Sequence, residues 1–342
     1  STDNCSLNYL FDNNNSVYNY VSKLETLIIL GGNISGKGIS NSNIVNLTIP
    51  VYASEGVYFT VTDIHAFRSV ENLYFAGTLE DWCNINNGTI NAHENGDNFY
   101  ILDEKGEYYL LNESETLVIP ASVTYIAPYA FYKVEGVKHI VFEESTETVE
   151  IDNRAFAYIT DAKTIIIPDN AKFVSENVFA LSSFEEVTVP NLYVNGTAST
   201  LNALMKTASY DTDKNETLKK FTITGESPFS MSQLRYYVAI EELYMSSEVT
   251  VSSYTAAYSS NVQYVSSTLK AIYIDGDLQD YCESTVSYLT CGTFPIYIKD
   301  DNGEYYNLRE ESVIIVPEGT TKVTNYTFNN FSNLVVYIAA ST

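Results

Sequence analysis

A short pattern of apolar, variable and apolar residues, often followed by Pro, recurs along the chain and organises it. Its clearest copies are Leu47-Thr48-Ile49-Pro50, Leu117-Val118-Ile119-Pro120, Ile165-Ile166-Ile167-Pro168, Val187-Thr188-Val189-Pro190 and Ile314-Ile315-Val316-Pro317. Weaker copies end at Ile29, Phe75, Phe142, Ile223, Met245, Ile274 and Ile338. Such alternation marks a strand with one buried face, and the Pro, which has no N–H, ends the pairing and turns the chain out of the sheet. Each strand is therefore expected to be about four residues long. From Ile29 to Ile338, successive last apolar residues lie 20, 26, 44, 23, 25, 22, 34, 22, 29, 42 and 22 residues apart, so most gaps are close to one length.

Between strands comes a second recurring pair ending in Phe: Ala66-Phe67, Ala130-Phe131, Ala155-Phe156, Val178-Phe179 and Thr327-Phe328. Phe follows its anchor by 12 residues in three copies, 119 to 131, 167 to 179 and 316 to 328. A unit with one strand corner and one Phe corner is too small to bury both alone, so successive units must stack. The predicted product is a mainly β repeat solenoid, with parallel strands about 4.8 Å apart and with anchors and Phe rings in continuous ladders.

The gaps of 44 and 42 residues hold matching contents. Gly77-Thr78-Leu79-Glu80-Asp81-Trp82-Cys83 and Gly276-Asp277-Leu278-Gln279-Asp280-Tyr281-Cys282 lie 199 residues apart. Lys105-Gly106-Glu107-Tyr108-Tyr109 and Asn302-Gly303-Glu304-Tyr305-Tyr306 lie 197 apart. These pairs define a duplicated module over about 70–142 and 269–338. Thr78 and Asp277 are good N-caps with Asp three residues on, which predicts a short helix carrying Trp82 or Tyr281. The Lys-Gly and Asn-Gly pairs between aromatic runs predict tight hairpins. The 34-residue gap from Val189 to Ile223 is expected to bulge from the wall, with helix-like content over Thr197 to Ser209. Residues 1–22, rich in Asn and Ser, read as a cap or frayed segment, and 23–342 as a single solenoid.

Composition narrows the partners. With 342 residues, 45% hydrophobic and 18% charged, the chain is ordered and can bury a large core. Its 18 Lys+Arg against 43 Asp+Glu give a net charge of −25, which repels phosphate backbones and anionic lipid and argues against a nucleic-acid partner. There is no run of 18 or more apolar residues, so no membrane span is expected; if the protein is secreted, its leader has been removed. The 29 Tyr against three His and four Cys give a surface of aromatic and hydroxyl contacts rather than titrating groups, one that suits an extracellular setting.

The apolar-x-apolar-Pro strand, the Ala-Phe corner, the period of 22 to 25 residues and the Gly-Thr-Leu-Glu-Asp-Trp-Cys insert resemble the BspA-like leucine-rich repeat proteins of gut and oral bacteria and some protists, over roughly 24–338. The resemblance implies a leucine-rich-repeat right-handed solenoid with short parallel strands, few short helices and two hairpin-containing inserts. It also implies a secreted or wall-attached protein, with adhesion to host proteins among the family's roles and no catalytic motif to carry over. The coils between Ile223 and Ile274 are less regular than that pattern, and no anchoring motif follows Ile338.

The middle residue of each strand points away from the core. That row reads Ile28, Thr48, Tyr74, Val118, Val141, Ile166, Thr188, Thr222, Tyr244, Tyr273, Ile315 and Tyr337, all β-branched or aromatic. Such residues stack well along a sheet, and an exposed face lined this way is also a candidate partner surface. Tyr244 and Tyr273 fall on adjacent rungs and should stack. The row two residues earlier is mostly polar and includes Thr26, Asn46, Asn72, His139, Glu186, Lys220, Glu242 and Ala271. We therefore expect a binding face with Tyr74, Tyr244, Tyr273 and Tyr337 as aromatic anchors and His139, Glu186, Lys220 and Glu242 as polar selectors, contacting an extracellular or host protein. The alternative is a glycan stacked on the hairpin tyrosines Tyr108, Tyr109, Tyr305 and Tyr306; a structural spacer of a larger wall protein is the third reading.

Little else carries chemistry. Glu186 and Glu242, two rungs apart, would lie about 9–10 Å from each other, near the limit for an inverting glycosidase pair, but Lys220 between them makes an alternating charge ladder the simpler account. No catalytic residue, metal site or cofactor is expected. The three His lack a zinc spacing. Asp211-x-Asp213-x-Asn215 imitates a calcium loop but has Glu216 where the turn needs Gly. Asp300-Asp301-Asn302-Gly303 reads as a hairpin turn. Cys83 and Cys282 match between the module copies and read as small buried residues; a Cys282–Cys291 bridge stays open, and Cys5 is unassigned. Sequons at Asn46, Asn87, Asn195 and Asn325 are expected by chance in such a chain.

Overall fold

The structure, a computed structural model, describes residues 4–6, 25–28, 33–35, 45–50, 59–60, 70–84, 98–206, 214–251, 268–286, 294–324 and 327–338. The chain is a β-solenoid of about ten turns with few short helices. It divides into two compact units, Ser1–Lys163 with Asn170–Ser183, and Thr164–Asp169 with Phe184–Thr342.

In the first unit, strands Thr26–Ile28, Asn46–Pro50, Asn72–Ala76 and Asn98–Leu102 pair in parallel, and Tyr108–Leu110 closes the sheet antiparallel to the last of them. Thr116–Ile119 pairs in parallel with His139–Phe142. A second parallel sheet, Tyr125–Ile126, Val149–Ile151 and Ala171–Phe173, runs along the other side of the coil. Between the two sheets lies the Phe corner. Phe131, Phe156 and Phe179 are fully buried, with ring centroids 5.3 and 6.4 Å apart and planes within 8° and 23°.

Each Phe corner is flanked by residues with left-handed backbone two positions before and two after it: Tyr129 and Lys133, Arg154 and Tyr158, Asn177 and Leu181, with φ between 55° and 64°. Side chains there cost energy relative to Gly. The repeated strain is offset by backbone hydrogen bonds from coil to coil, such as Phe131 N to Ala155 O at 2.8 Å and Phe156 N to Val178 O at 3.0 Å.

In the second unit, Thr164–Ile166, Glu186–Val189, Lys220–Ile223, Glu242–Ser246, Ala271–Asp275 and Ile296–Lys299 pair in parallel in that order, and Tyr305–Asn307 closes the sheet antiparallel. Val313–Val316 and Val335–Ile338 form a separate parallel pair. The bulge after Val189 is a short hairpin, Tyr193–Val194 with Thr197–Ala198, and a helix, Leu201–Met205, capped by the Thr200 hydroxyl.

Most core positions follow the repeat. Ile49, Phe75, Ile119, Ile167, Val189, Ile223, Met245, Ile274 and Val316 are buried. Ile338 is not: among the described residues its strand pairs only with Val313–Val316, and the residue is 62% exposed. Phe142 is half-buried. Ile29 and Phe67 lie outside the described residues. The larger departure is in the two long gaps, where the first hairpin strand also serves as a rung. Ile101 follows Phe75 by 26 residues and Ile298 follows Ile274 by 24, so the long gaps each hide a repeat of ordinary length.

Both module helices form as expected, Leu79–Cys83 and Leu278–Glu283, each with a complete capping box from Thr78 with Asp81 and from Asp277 with Asp280. Gly276 starts the second copy where space is short, since a Cβ there would stand 2.8 Å from Asp280 Cβ. Cys83 and Cys282 are buried free thiols, with burial pushing Cys282 up to about 11. Cys291 and the side chain of Cys5 lie outside the described residues.

The hairpin turns are twins. The Asp103 carboxylate accepts from Lys105 N and Glu107 N at 2.9 Å each, and Asp300 accepts from Asn302 N and Glu304 N at 2.9 Å each; Gly106 and Gly303 take φ of 78° and 81°. These backbone hydrogen bonds, chiefly from Glu107 and Glu304, lower both carboxyls below the usual Asp value of 3.8. A carboxylate with a depressed folded pKa supports the fold above its unfolded pKa, and that support is lost as pH falls through the folded one. Carboxyl titration by NMR should place Asp103 and Asp300 below an unstructured Asp, and Asp103→Ala should abolish the acid-induced loosening of its hairpin.

Candidate functional site

On the outer face of the second unit, three columns run across the rungs. Glu186, Lys220 and Glu242 stand in register, as the sequence predicts. Lys220 Nζ lies 3.9 Å from Glu186 Oε2 and 4.6 Å from the centre of the Tyr244 ring, and the Tyr244 hydroxyl donates to Glu242 Oε2 at 3.3 Å. Beside this runs a second charge ladder that the sequence reading missed, with Glu185 paired to Lys219 at 2.5 Å and Glu241 to Lys270 at 2.8 Å. Ala271, counted in the mostly polar row, stands in register with Glu242 but is buried, and the charge on its rung comes one residue earlier, from Lys270.

The third column is aromatic. Tyr244 and Tyr273 stack with centroids 4.2 Å apart and planes within 3°. Tyr297 extends the stack at 4.7 Å and 13°. From the hairpin, Tyr305 turns perpendicular to the stack, 5.4 Å from Tyr273 and 6.4 Å from Tyr244. Lys299 sits 5.7 Å from the Tyr305 ring centre and is ion-paired with Asp275. Burial, then the nearby Glu242 carboxylate, raises Tyr244 and Tyr273, and burial raises Tyr305, so these phenols remain hydrogen-bond donors at neutral pH.

The first unit carries a second version of the cluster. Tyr74 and Tyr100 stack at 4.5 Å and 8°, and hairpin Tyr108 stands edge-on to Tyr74 at 5.3 Å. Here the neighbouring column is neutral. Asn98 Nδ2 donates to Asn72 Oδ1 at 2.9 Å, Asn72 Nδ2 to Asn46 Oδ1 at 2.8 Å, and Asn46 Nδ2 to Thr26 Oγ1 at 3.3 Å. The sequon residue Asn46 is thus an interior member of an amide ladder.

Five of the eight expected site residues, Glu186, Lys220, Glu242, Tyr244 and Tyr273, gather on successive rungs. Tyr337 lies on the separate strand pair, opposite Ile315, and both are exposed, at 58% and 68%. Tyr74 and His139 belong to the first unit, Tyr74 in the aromatic stack and His139 in register with Thr116. Tyr100 and Tyr297 were overlooked because their strands read as hairpin arms. The signal was present in Phe99-Tyr100-Ile101 and Ile296-Tyr297-Ile298, the same apolar-x-apolar pattern as every other rung.

Acid–base catalysis between Glu186 and Glu242 finds no support in this arrangement, since Lys220 pairs with the first and the Tyr244 hydroxyl is held by the second. Among the described residues no group of three or more His, Cys, Asp or Glu could hold a metal. Asp211, Asp213, His65 and His93 lie outside them. Asn215 Oδ1 instead accepts the backbone N–H of Thr217 and Leu218 at 3.1 and 2.8 Å, which makes it a turn residue.

Short parallel strands stacked coil upon coil, with Phe corners between them, define a leucine-rich-repeat solenoid, a fold that is typically non-enzymatic and associated with protein binding. Residues 104–202 match the BspA type leucine rich repeat region in six copies, so the chain carries that repeat. Among curated proteins no sequence matches the chain.

Proposed function

We propose that this is a protein-interaction repeat protein that acts outside the cell or at its surface and adheres to an extracellular or host protein through the outer sheet face of its second unit. The observation that carries the reading is the Tyr244–Tyr273–Tyr297 stack set beside the Glu186–Lys220–Glu242 ladder. Tyrosine brings large contact area with little side-chain entropy to lose, and flanking charges select the partner and steer its approach. The acidic composition and the BspA-type repeats agree with this setting, and no helix among the described residues is long and apolar enough to cross a membrane.

The test is a binding screen of the purified chain against matrix and plasma proteins. For any saturable hit, Tyr244→Ala/Tyr273→Ala should weaken affinity by about tenfold or more, as expected for two central anchors. Undiminished binding by a folded double variant would remove this face from the proposal.

A second reading rests on the hairpins, where Tyr108 and Tyr109 are exposed at 42% and 41% and Tyr305 at 37%, leaving aromatic surface for a sugar ring. A glycan array separates the two: saturable sugar binding lost in Tyr109→Ala/Tyr306→Ala but retained in Tyr244→Ala/Tyr273→Ala would favour the hairpins. Silence in both screens would leave the chain as a spacer.

A further inference from the structure

We propose that the tyrosine stacks are sites of oxidative modification, at which a haem peroxidase with hydrogen peroxide couples neighbouring rings into dityrosine and so staples adjacent rungs covalently. The inference stands apart from ligand binding. It rests on three ring pairs held parallel at contact distance, Tyr244 with Tyr273, Tyr273 with Tyr297, and Tyr74 with Tyr100, at 4.2, 4.7 and 4.5 Å. The rungs fix this spacing, because parallel strands repeat at about 4.8 Å.

In the reaction each of two phenols loses one hydrogen atom, from O–H, to the enzyme's oxidised haem. The two phenoxyl radicals form a C–C bond between ring carbons ortho to oxygen. The hydrogens displaced from those carbons then return to the oxygens and restore both phenols. The peroxide is reduced to two waters, and the protein loses two hydrogens per link.

Three features direct the oxidation to the stacks. All five rings lie on the outer face and are part-exposed, none of them buried in the core. The more easily oxidised groups nearby are shielded, Trp82 at 2% exposure and Cys83 and Cys282 at 0%. Two radicals on one stack are already in contact, which favours coupling within the chain over coupling between chains. Other tyrosine contacts provide an internal control, since Tyr129–Tyr132 and Tyr132–Tyr158 are tilted by 59° and 49°.

The experiment treats the dilute full chain with a haem peroxidase and hydrogen peroxide, then reads dityrosine fluorescence, denaturing gels and cross-linked peptides by mass spectrometry. Links joining Tyr244–Tyr273, Tyr273–Tyr297 and Tyr74–Tyr100 in a protein that still runs as a monomer are expected. Tyr273→Phe keeps the ring but removes the phenol, and should lower the second-unit links several-fold while sparing Tyr74–Tyr100. Links only between chains, links spread without preference to the tilted pairs, a Tyr273→Phe variant that behaves like the parent, or no dityrosine under conditions that couple free tyrosine would each overturn the proposal.

Discussion

Phe156→Ala is expected to destabilise the solenoid by about 3–5 kcal/mol, the cost of emptying a fully buried aromatic site. The ring lies between Phe131 and Phe179, and Phe142 meets it edge-on at 6.3 Å. Its neighbours cannot collapse into the gap. Their coils are held at fixed spacing by the backbone hydrogen bonds Phe131 N to Ala155 O and Phe156 N to Val178 O, so most of the cavity remains. Because a solenoid coil is stabilised mainly by its immediate neighbours, the loss should also loosen the coils on either side, seen as faster hydrogen exchange at Phe131 and Phe179. Lys172→Ala, at an exposed position between buried Ala171 and Phe173, should stay within about 0.5 kcal/mol of the parent. Denaturant unfolding of the two variants decides the matter: a Phe156→Ala cost below about 1 kcal/mol would mean that the Phe ladder is not what holds these coils together.

The ladder was legible in the sequence because Ala155-Phe156 and Val178-Phe179 recur at a fixed distance from the strand, and a period is a one-dimensional signal. The register of Glu186, Lys220 and Glu242 and the stacking of Tyr244 on Tyr273 follow from the same period. What stayed hidden were contacts that depend on where a hairpin folds. Asn98–Leu102 and Ile296–Lys299 pair on one edge as hairpin arms and on the other as rungs, and turn residues advertise only the first role. Tyr100, Tyr297 and the last amide of the Asn ladder went unnoticed for that reason. Tyr305 reaching back across a stack formed by earlier strands is a side-chain direction, which spacing does not encode. The Glu185–Lys219 and Glu241–Lys270 pairs lie just outside the alternating pattern, at strand entries where the pattern assigns no face.

Variants at Trp82 and Tyr281 should reveal one structural lock built twice with different chemistry. Trp82 Nε1 donates to Ala130 O at 2.7 Å, and the Tyr281 hydroxyl donates to Thr327 O at 2.7 Å, in each case to the residue before a corner Phe. A backbone bond accompanies each: Ala127 N to Cys83 O at 2.8 Å and Thr324 N to Cys282 O at 2.9 Å. Both side chains are buried, and Trp82 also packs against Phe75 and Phe99 at 5.1 and 4.5 Å. Tyr281→Phe removes only the donor and leaves a buried carbonyl unsatisfied, for an expected cost of about 1–3 kcal/mol. Burial pushes the Tyr281 phenol far above its ordinary value, so it stays protonated and that cost should not change across neutral pH. Trp82→Ala adds a cavity and should cost about 3–5 kcal/mol. The discriminating variant is Trp82→Tyr, which transplants the second copy's solution into the first: it should lose less stability than Trp82→Phe, because a phenol can again reach Ala130 O while a bare ring cannot. Chemical denaturation followed by far-ultraviolet circular dichroism measures all four. Equal losses for Trp82→Tyr and Trp82→Phe would show that ring packing, not the donated hydrogen bond, secures the helix to the Phe corner.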